Sequence, residues 1–276
     1  MRFTKMHGLG NDFILIENPS NIEMNYSSMA IKWCHRQLGI GADGLVVVLP
    51  SSVASLRMRI INSDGSEANM CGNAIRCFAR YAYDKGLIQS RKFEVETFAG
   101  IIIPEIITEN NEFVSVRVNM GQPSLERSSI PMSGNEKEAI QVPVLIDNQE
   151  IHITSLLMGV PHTMVFVNNL NAIDLEKTGR AIEKNAIFPK GTNVNFVEVI
   201  DRTRIKIRTW ERGAGATLAC GTGSCASTVA SVLNQLTDRT TTVELQYGNL
   251  EIEWAEDGTV FMTGPAVQSF TGEMPS

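Results

Sequence analysis

Asn69-Met70-Cys71-Gly72-Asn73-Ala74-Ile75-Arg76-Cys77 and Leu218-Ala219-Cys220-Gly221-Thr222-Gly223 are two versions of one passage, 149 residues apart. The same offset sets Arg57-Met58-Arg59-Ile60 against Lys206-Ile207-Arg208-Thr209. It also sets Phe93-Glu94-Val95-Glu96-Thr97-Phe98 against Thr242-Val243-Glu244-Leu245-Gln246-Tyr247. One offset serving three separate segments marks an internal duplication. The alternation over 93–98 and 243–247 predicts strands. After Cys71, the apolar residues Ile75, Phe78, Ala79 and Ala82 recur at helical spacing, so a helix is predicted over about 72–85, stopping at Gly86. The second copy predicts a helix over about 222–236, with Val229, Ala230, Leu233 and Leu236 as its apolar face. Strands are expected over 56–61 and 204–210, with polar loops over 62–69 and 211–219. Residues 132–141 form a further polar loop.

Strands around one helix per half predict an α+β fold of two pseudo-symmetric domains, each a strand-rich barrel or roll around a central helix. The halves are expected at 1–118 with 265–276, carrying Cys71, and at 119–264, carrying Cys220. The active site would lie in the cleft between them.

A chain of 276 residues is long for one core and comfortable for two. Its net charge is −6 and no run of Lys or Arg forms a basic stripe, which argues against nucleic acid as a partner. The apolar runs are of strand length, and the start of the chain lacks a signal-like stretch. A cytoplasmic protein with no membrane partner is expected. Five cysteines, an odd number, do not suggest a disulfide framework. Their C-x5-C and C-x4-C spacings lack the tight knuckle of a zinc site, and the histidines are scattered, so no metal is expected. A thiol redox protein would want C-x-x-C, which is absent.

Cys71 and Cys220 each stand immediately before a helix and are followed by Gly. First-turn N–H groups lack partners within the helix, and the helix dipole adds positive potential there. Both effects favour a thiolate and an anion beside it. Two such sites, facing each other, would hold one amino-acid carboxylate with a thiol on either side of its α-carbon. One thiolate would take the proton while the other thiol delivers one, which is racemase or epimerase chemistry. Cys34, Cys77 and Cys225 are expected to be buried small hydrophobes.

At these residues the sequence resembles the diaminopimelate epimerases along nearly its whole length. The matching segments are Lys5-Met6-His7-Gly8-Leu9-Gly10-Asn11-Asp12-Phe13, Gly39-Ile40-Gly41-Ala42-Asp43-Gly44 and Asn62-Ser63-Asp64-Gly65-Ser66-Glu67. They continue with Cys71 to Cys77, Met158-Gly159-Val160-Pro161-His162, Glu211-Arg212-Gly213-Ala214-Gly215 and Cys220-Gly221-Thr222-Gly223. The resemblance implies epimerisation of LL-diaminopimelate to the meso form, for lysine and peptidoglycan synthesis, without pyridoxal phosphate, metal or nucleotide. It makes Cys71 and Cys220 the acid–base pair. The N–H groups of Gly72, Asn73, Gly221 and Thr222 would hold the α-carboxylate. His162 and Glu211 would bond the reacting ammonium and tune the thiols. Asn11, Asn62, Asn193 and Arg212 would read the far end of the substrate, and a homodimer is expected.

Three positions depart from the family: Val160 where Asn is common, Ala74 where Gly is usual, and Ala216 where Glu is frequent. Val160 removes a polar contact, so a two-cysteine racemase of another amino acid, such as histidine, is the alternative. A non-catalytic binding protein on the same fold would not need both cysteines. A buried Arg212 would need a carboxylate, which in turn implies a substrate with a second acidic group.

Overall fold

In the computed structural model, which describes residues 1–147 and 149–274, the chain divides into two compact units. One comprises Met1–Asn119 and the C-terminal segment from Thr263; the other is Met120–Met262. The first contains β1 (Arg2–Gly8), β2 (Asn11–Glu17), α1 (Tyr26–Trp33), β3 (Gly44–Leu49), β4 (Leu56–Asn62), β5 (Glu67–Ala68) and α2 (Gly72–Asp84). Then follow β6 (Val95–Thr97), β7 (Gly100–Ile102), β8 (Glu105–Glu109) and β9 (Glu112–Asn119). The second unit begins with β10 (Ala139–Ile146), β11 (Gln149–Met158), β12 (Val160–Phe166), α3 (Leu175–Glu183), β13 (Asn193–Asp201) and β14 (Arg204–Glu211). It continues with β15 (Gly215–Thr217), α4 (Gly221–Leu233), β16 (Thr240–Leu245), β17 (Gly248–Trp254) and β18 (Val260–Gly264), before β19 (Val267–Glu273) returns to the first unit.

The duplication is written into this order. In the first unit the strands run β19-β1-β2-β3-β4-β6-β7; in the second, β10-β11-β12-β13-β14-β16-β17-β18. Strand pairs β2/β3 and β12/β13 are parallel, as are β4/β6 and β14/β16. A helix fills each of those crossovers. β2 and β12, and likewise α2 and α4, are separated by the 149 residues of the sequence repeat. This is the duplicated, strand-rich α+β architecture expected.

Each central helix packs against strands of its own unit. α2 packs on β1, β2, β3, β4, β8 and β9, and α4 on β11, β12, β13, β14, β16 and β17. The opposite sheet faces are covered by the outer helices. Ile14, Ile16, Leu45 and Val47 pack with Tyr26, Ala30 and Trp33 of α1, while Val194, Phe196 and Trp210 share a core with Ile182 of α3. With both faces covered, β3 can be apolar along its whole length, Leu45-Val46-Val47-Val48-Leu49. Among the described residues no helix is long and apolar enough to cross a membrane.

Several local expectations needed correction. The loops over 62–69 and 211–219 each fold back into a short strand, with β5 pairing on Ile60–Ile61 and β15 on Thr209–Glu211. The second helix stops at Leu233 rather than Leu236. Gln235 takes φ 59° there, and the Leu236 N–H closes onto the Ser231 carbonyl, leaving Leu236 exposed. Phe98 and Tyr247 lie in the tight turns after β6 and β16 and are exposed. The polar loop of 132–141 ends earlier, because β10 begins at Ala139.

Candidate active site

Both cysteines are the N-cap residues of their helices, in extended backbone conformation. Extended geometry at the cap ends the helical hydrogen-bond ladder, so the N–H groups of Gly72 and Asn73, and of Gly221 and Thr222, belong to first turns that have no i−4 carbonyl to serve them. A carboxylate is the group such N–H donors suit.

The two sulfurs meet opposite hydrogen-bond partners. In the first unit, Cys71 Sγ lies 3.7 Å from Asn11 Oδ1 and donates to it. That amide oxygen also accepts from Asn73 Nδ2 at 3.0 Å, while Asn11 Nδ2 donates to Asp43 at 2.7 Å. Asp43 thereby orients the Asn11 amide with its oxygen toward the thiol. Arg76, fully buried, donates to Asn73 Oδ1 at 2.9 Å and to the Gly72 carbonyl at 3.1 Å, bracing the start of the helix. Arg36 bridges Asp12 and Asp43, and Lys5 pairs with Asp12 at 2.6 Å. Burial works to raise the Asp12 carboxyl, but Arg36 and Lys5 outweigh it and hold it below the usual range.

In the second unit, Cys220 Sγ accepts from the Gly223 N–H at 3.3 Å and lies 3.5 Å from Thr222 Oγ1. The sulfur itself caps its helix, a site that suits a thiolate. His162 Nε2 is 3.0 Å from Thr222 Oγ1. His162 stands in β12, and it reaches the sulfur through the threonine hydroxyl. Glu211, at the end of β14, accepts from Thr217 Oγ1 at 2.5 Å.

The other residues singled out from the sequence each have partners within the chain. Asn11 accepts from the Cys71 thiol. The Asn193 amide is engaged with backbone, accepting from the Arg212 N–H at 2.9 Å and donating to the Pro161 carbonyl at 2.9 Å. Asn62 is exposed and bonded to Ser66. Arg212 is exposed as well, donating to the Lys190 carbonyl at 2.9 Å. Its charge is solvated here, so the inference from a buried guanidinium to an acidic substrate loses its premise. Asn195, Thr209, Asp12 and Asp43 carry site contacts that sequence reasoning missed. The signal for Asn195 was a polar residue inside the apolar strand Val194-Asn195-Phe196-Val197, where an amide needs partners.

All five cysteines are free thiols. Burial pushes Cys34 up to about 11 and Cys77 up to about 12, which removes them from acid–base work near neutrality. Among the described residues, no three of His, Cys, Asp or Glu gather as a metal-ligand group.

Full burial lowers the His162 pKa from 6.5 to about 3. Above pH 6.5 the ring is neutral in folded and unfolded chains alike. Between 6.5 and 3 the unfolded chain takes up a proton that the folded chain refuses, so this stability is lost as pH falls. The loss is about 1.4 kcal/mol per pH unit. Between pH 7 and pH 5, urea unfolding should therefore show His162→Gln losing about 2 kcal/mol less than wild type. Equal losses would contradict the buried neutral ring.

The pattern of the diaminopimelate epimerase family matches residues 3–126 and 154–268. The chain belongs to that family. It is 49% identical over 274 residues to a diaminopimelate epimerase of Caldanaerobacter subterraneus subsp. tengcongensis, covering 99% of each chain. A diaminopimelate epimerase of Pelotomaculum thermopropionicum is 49% identical over 281 residues, covering 100% of this chain and 99% of the other. Among solved structures, a Bacillus anthracis phenazine biosynthesis protein of the PhzF family superposes with a TM-score of 0.73 at 17% identity, covering 100% of this chain and 99% of that one. At that identity the likeness is one of fold alone.

Proposed function

We propose that this diaminopimelate epimerase family member interconverts LL- and meso-2,6-diaminopimelate, with Cys71 and Cys220 as its acid–base pair. The observation that carries the mechanism is a cysteine at the cap of the equivalent helix in each half of a duplicated chain. The substrate is supported by relatives of that name, identical at about half of their positions over their full length. Racemisation of another amino acid such as histidine is not favoured.

The halves, residues 1–118 with 265–276 and residues 119–264, each bring one thiol. A thiolate takes the α-proton from one face, leaving a carbanion whose charge spreads into the α-carboxylate. The first-turn N–H groups of Gly72, Asn73, Gly221 and Thr222 bond that carboxylate most strongly as its charge grows. The opposite thiol then protonates the other face, so proton and charge balance and the two cysteines exchange protonation states. Glu211 serves the α-ammonium, His162 tunes the Cys220 thiol through Thr222, and Arg212 serves the distal carboxylate. The product would supply lysine and peptidoglycan synthesis. On the family resemblance alone we also assign the enzyme to the cytoplasm as a homodimer.

Incubation in deuterium oxide tests the reading. LL-diaminopimelate should convert to the meso isomer with one deuterium at the inverted centre, while histidine and glutamate gain none. Faster exchange at another amino acid, or none at diaminopimelate, would overturn it.

A further inference from the structure

Beside Cys220, three neighbouring strands present polar side chains to α4 from otherwise apolar faces. Val165, Val194, Phe196 and Trp210 point to the α3 side, so strand alternation turns His162, Met164, Asn195 and Thr209 toward α4. Sheet register aligns these residues: Met164 pairs with Asn195 across β12/β13, and Asn195 pairs with Thr209 across β13/β14. All four are fully or almost fully buried.

Their hydrogen bonds run in one direction. Thr209 Oγ1 donates to Asn195 Oδ1 at 3.0 Å, which fixes which end of the amide is oxygen. Asn195 Nδ2 then has two acceptors, His162 Nδ1 at 3.2 Å and Met164 Sδ at 3.7 Å. A ring nitrogen that accepts at Nδ1 in a neutral imidazole carries its proton on Nε2. That proton meets Thr222 Oγ1, and the threonine keeps its own proton for Cys220 Sγ. The fit is tight: a Cβ at position 223 would stand 2.5 Å from Asn195 Oδ1 and 3.2 Å from Cys220 Sγ. Glycine at 223 therefore lets the amide and the sulfur share the first turn of α4.

We propose that Asn195, held by Thr209, is a positioning residue that fixes His162 as its Nε2–H tautomer, so that Thr222 directs a hydroxyl proton at Cys220. A hydrogen bond donated to sulfur favours the thiolate, and the relay thereby keeps Cys220 ready to act as a base. The two thiols differ in this respect, because the contact of Cys71 with Asn11 has the opposite polarity. For its bearing on turnover, the inference rests on the catalytic reading of Cys220.

The test uses the full chain labelled with 15N-histidine. In wild type, His162 should show a pyridine-like Nδ1 and a pyrrole-like Nε2. In Asn195→Asp the carboxylate can only accept from the ring, so the pattern should reverse. Alkylation of Cys220 by iodoacetamide at pH 7, followed by mass spectrometry, should slow about tenfold, the effect of one pKa unit on the thiolate fraction. Cys71 should react at an unchanged rate. Thr209→Val adds no charge and frees the amide to rotate. It should mix the two ring patterns and slow Cys220 in the same sense, which separates the relay from simple repulsion by the introduced carboxylate. An Nδ1–H or doubly protonated His162 in wild type would overturn the proposal. So would unchanged ring patterns and Cys220 rates in the variants. Neither readout depends on turnover, so failure to epimerise diaminopimelate would sink the functional reading and leave these results to decide the relay.

Discussion

Cys71→Ala and Cys220→Ala should each lower the rate of diaminopimelate epimerisation by at least about a hundredfold, and as much as ten-thousandfold, the range for losing a positioned acid or base. The fold should survive both changes. Cys71 is half-buried and does not cap its helix with its side chain, and Cys220 gives up one N–H···S bond, a loss of about 1 kcal/mol. Serine in either place should also fail, because a hydroxyl is a far weaker base than a thiol near neutral pH. The check is initial rate in both directions beside urea unfolding of each variant. Retention of more than about a tenth of the wild-type rate, a single step of 1.36 kcal/mol, would end the two-thiol mechanism.

Arg212→Met should lower kcat/KM for diaminopimelate about tenfold to a hundredfold, mostly through KM, while stability shifts by no more than about 0.5 kcal/mol. In this structure Arg212 is exposed and bonded to a backbone carbonyl, so removing it leaves no buried charge behind. On the proposed role of Arg212, what the variant would lose is a charge-assisted bond to the distal carboxylate, about 1.5–3 kcal/mol. That is less than the roughly 2–5 kcal/mol expected for breaking a buried pair. Kinetics on diaminopimelate, with unfolding measured in parallel, decides the matter. An unchanged kcat/KM would assign the distal carboxylate to another group.

Much of this was legible because it is local or repeated. The duplication needs only one offset, and the equivalence of α2 and α4 follows from it. Helix starts at Cys71 and Cys220 were marked by the glycine after each and by the apolar spacing beyond. The end of α2 at Gly86 was marked by a residue able to take φ 66°. Short return strands such as β5 and β15 were missed because two or three residues carry too little periodicity to register. The end of α4 was missed because Gln235, which carries no turn signature, takes the left-handed conformation there.

The sequence by itself determined the two-fold repeat, the strand–helix plan of each half, the two cap cysteines and the family. Those features live in spacing along the chain, where each residue constrains its near neighbours. Only the tertiary structure decided what surrounds each sulfur. Asn195 reaches His162 from 33 residues away and His162 reaches Thr222 from 60, while Arg212, expected to be buried, stands in solvent. Burial and hydrogen-bond direction depend on which distant strands lie side by side. The same Cys-Gly passage therefore makes a sulfur that donates in one half and one that accepts in the other.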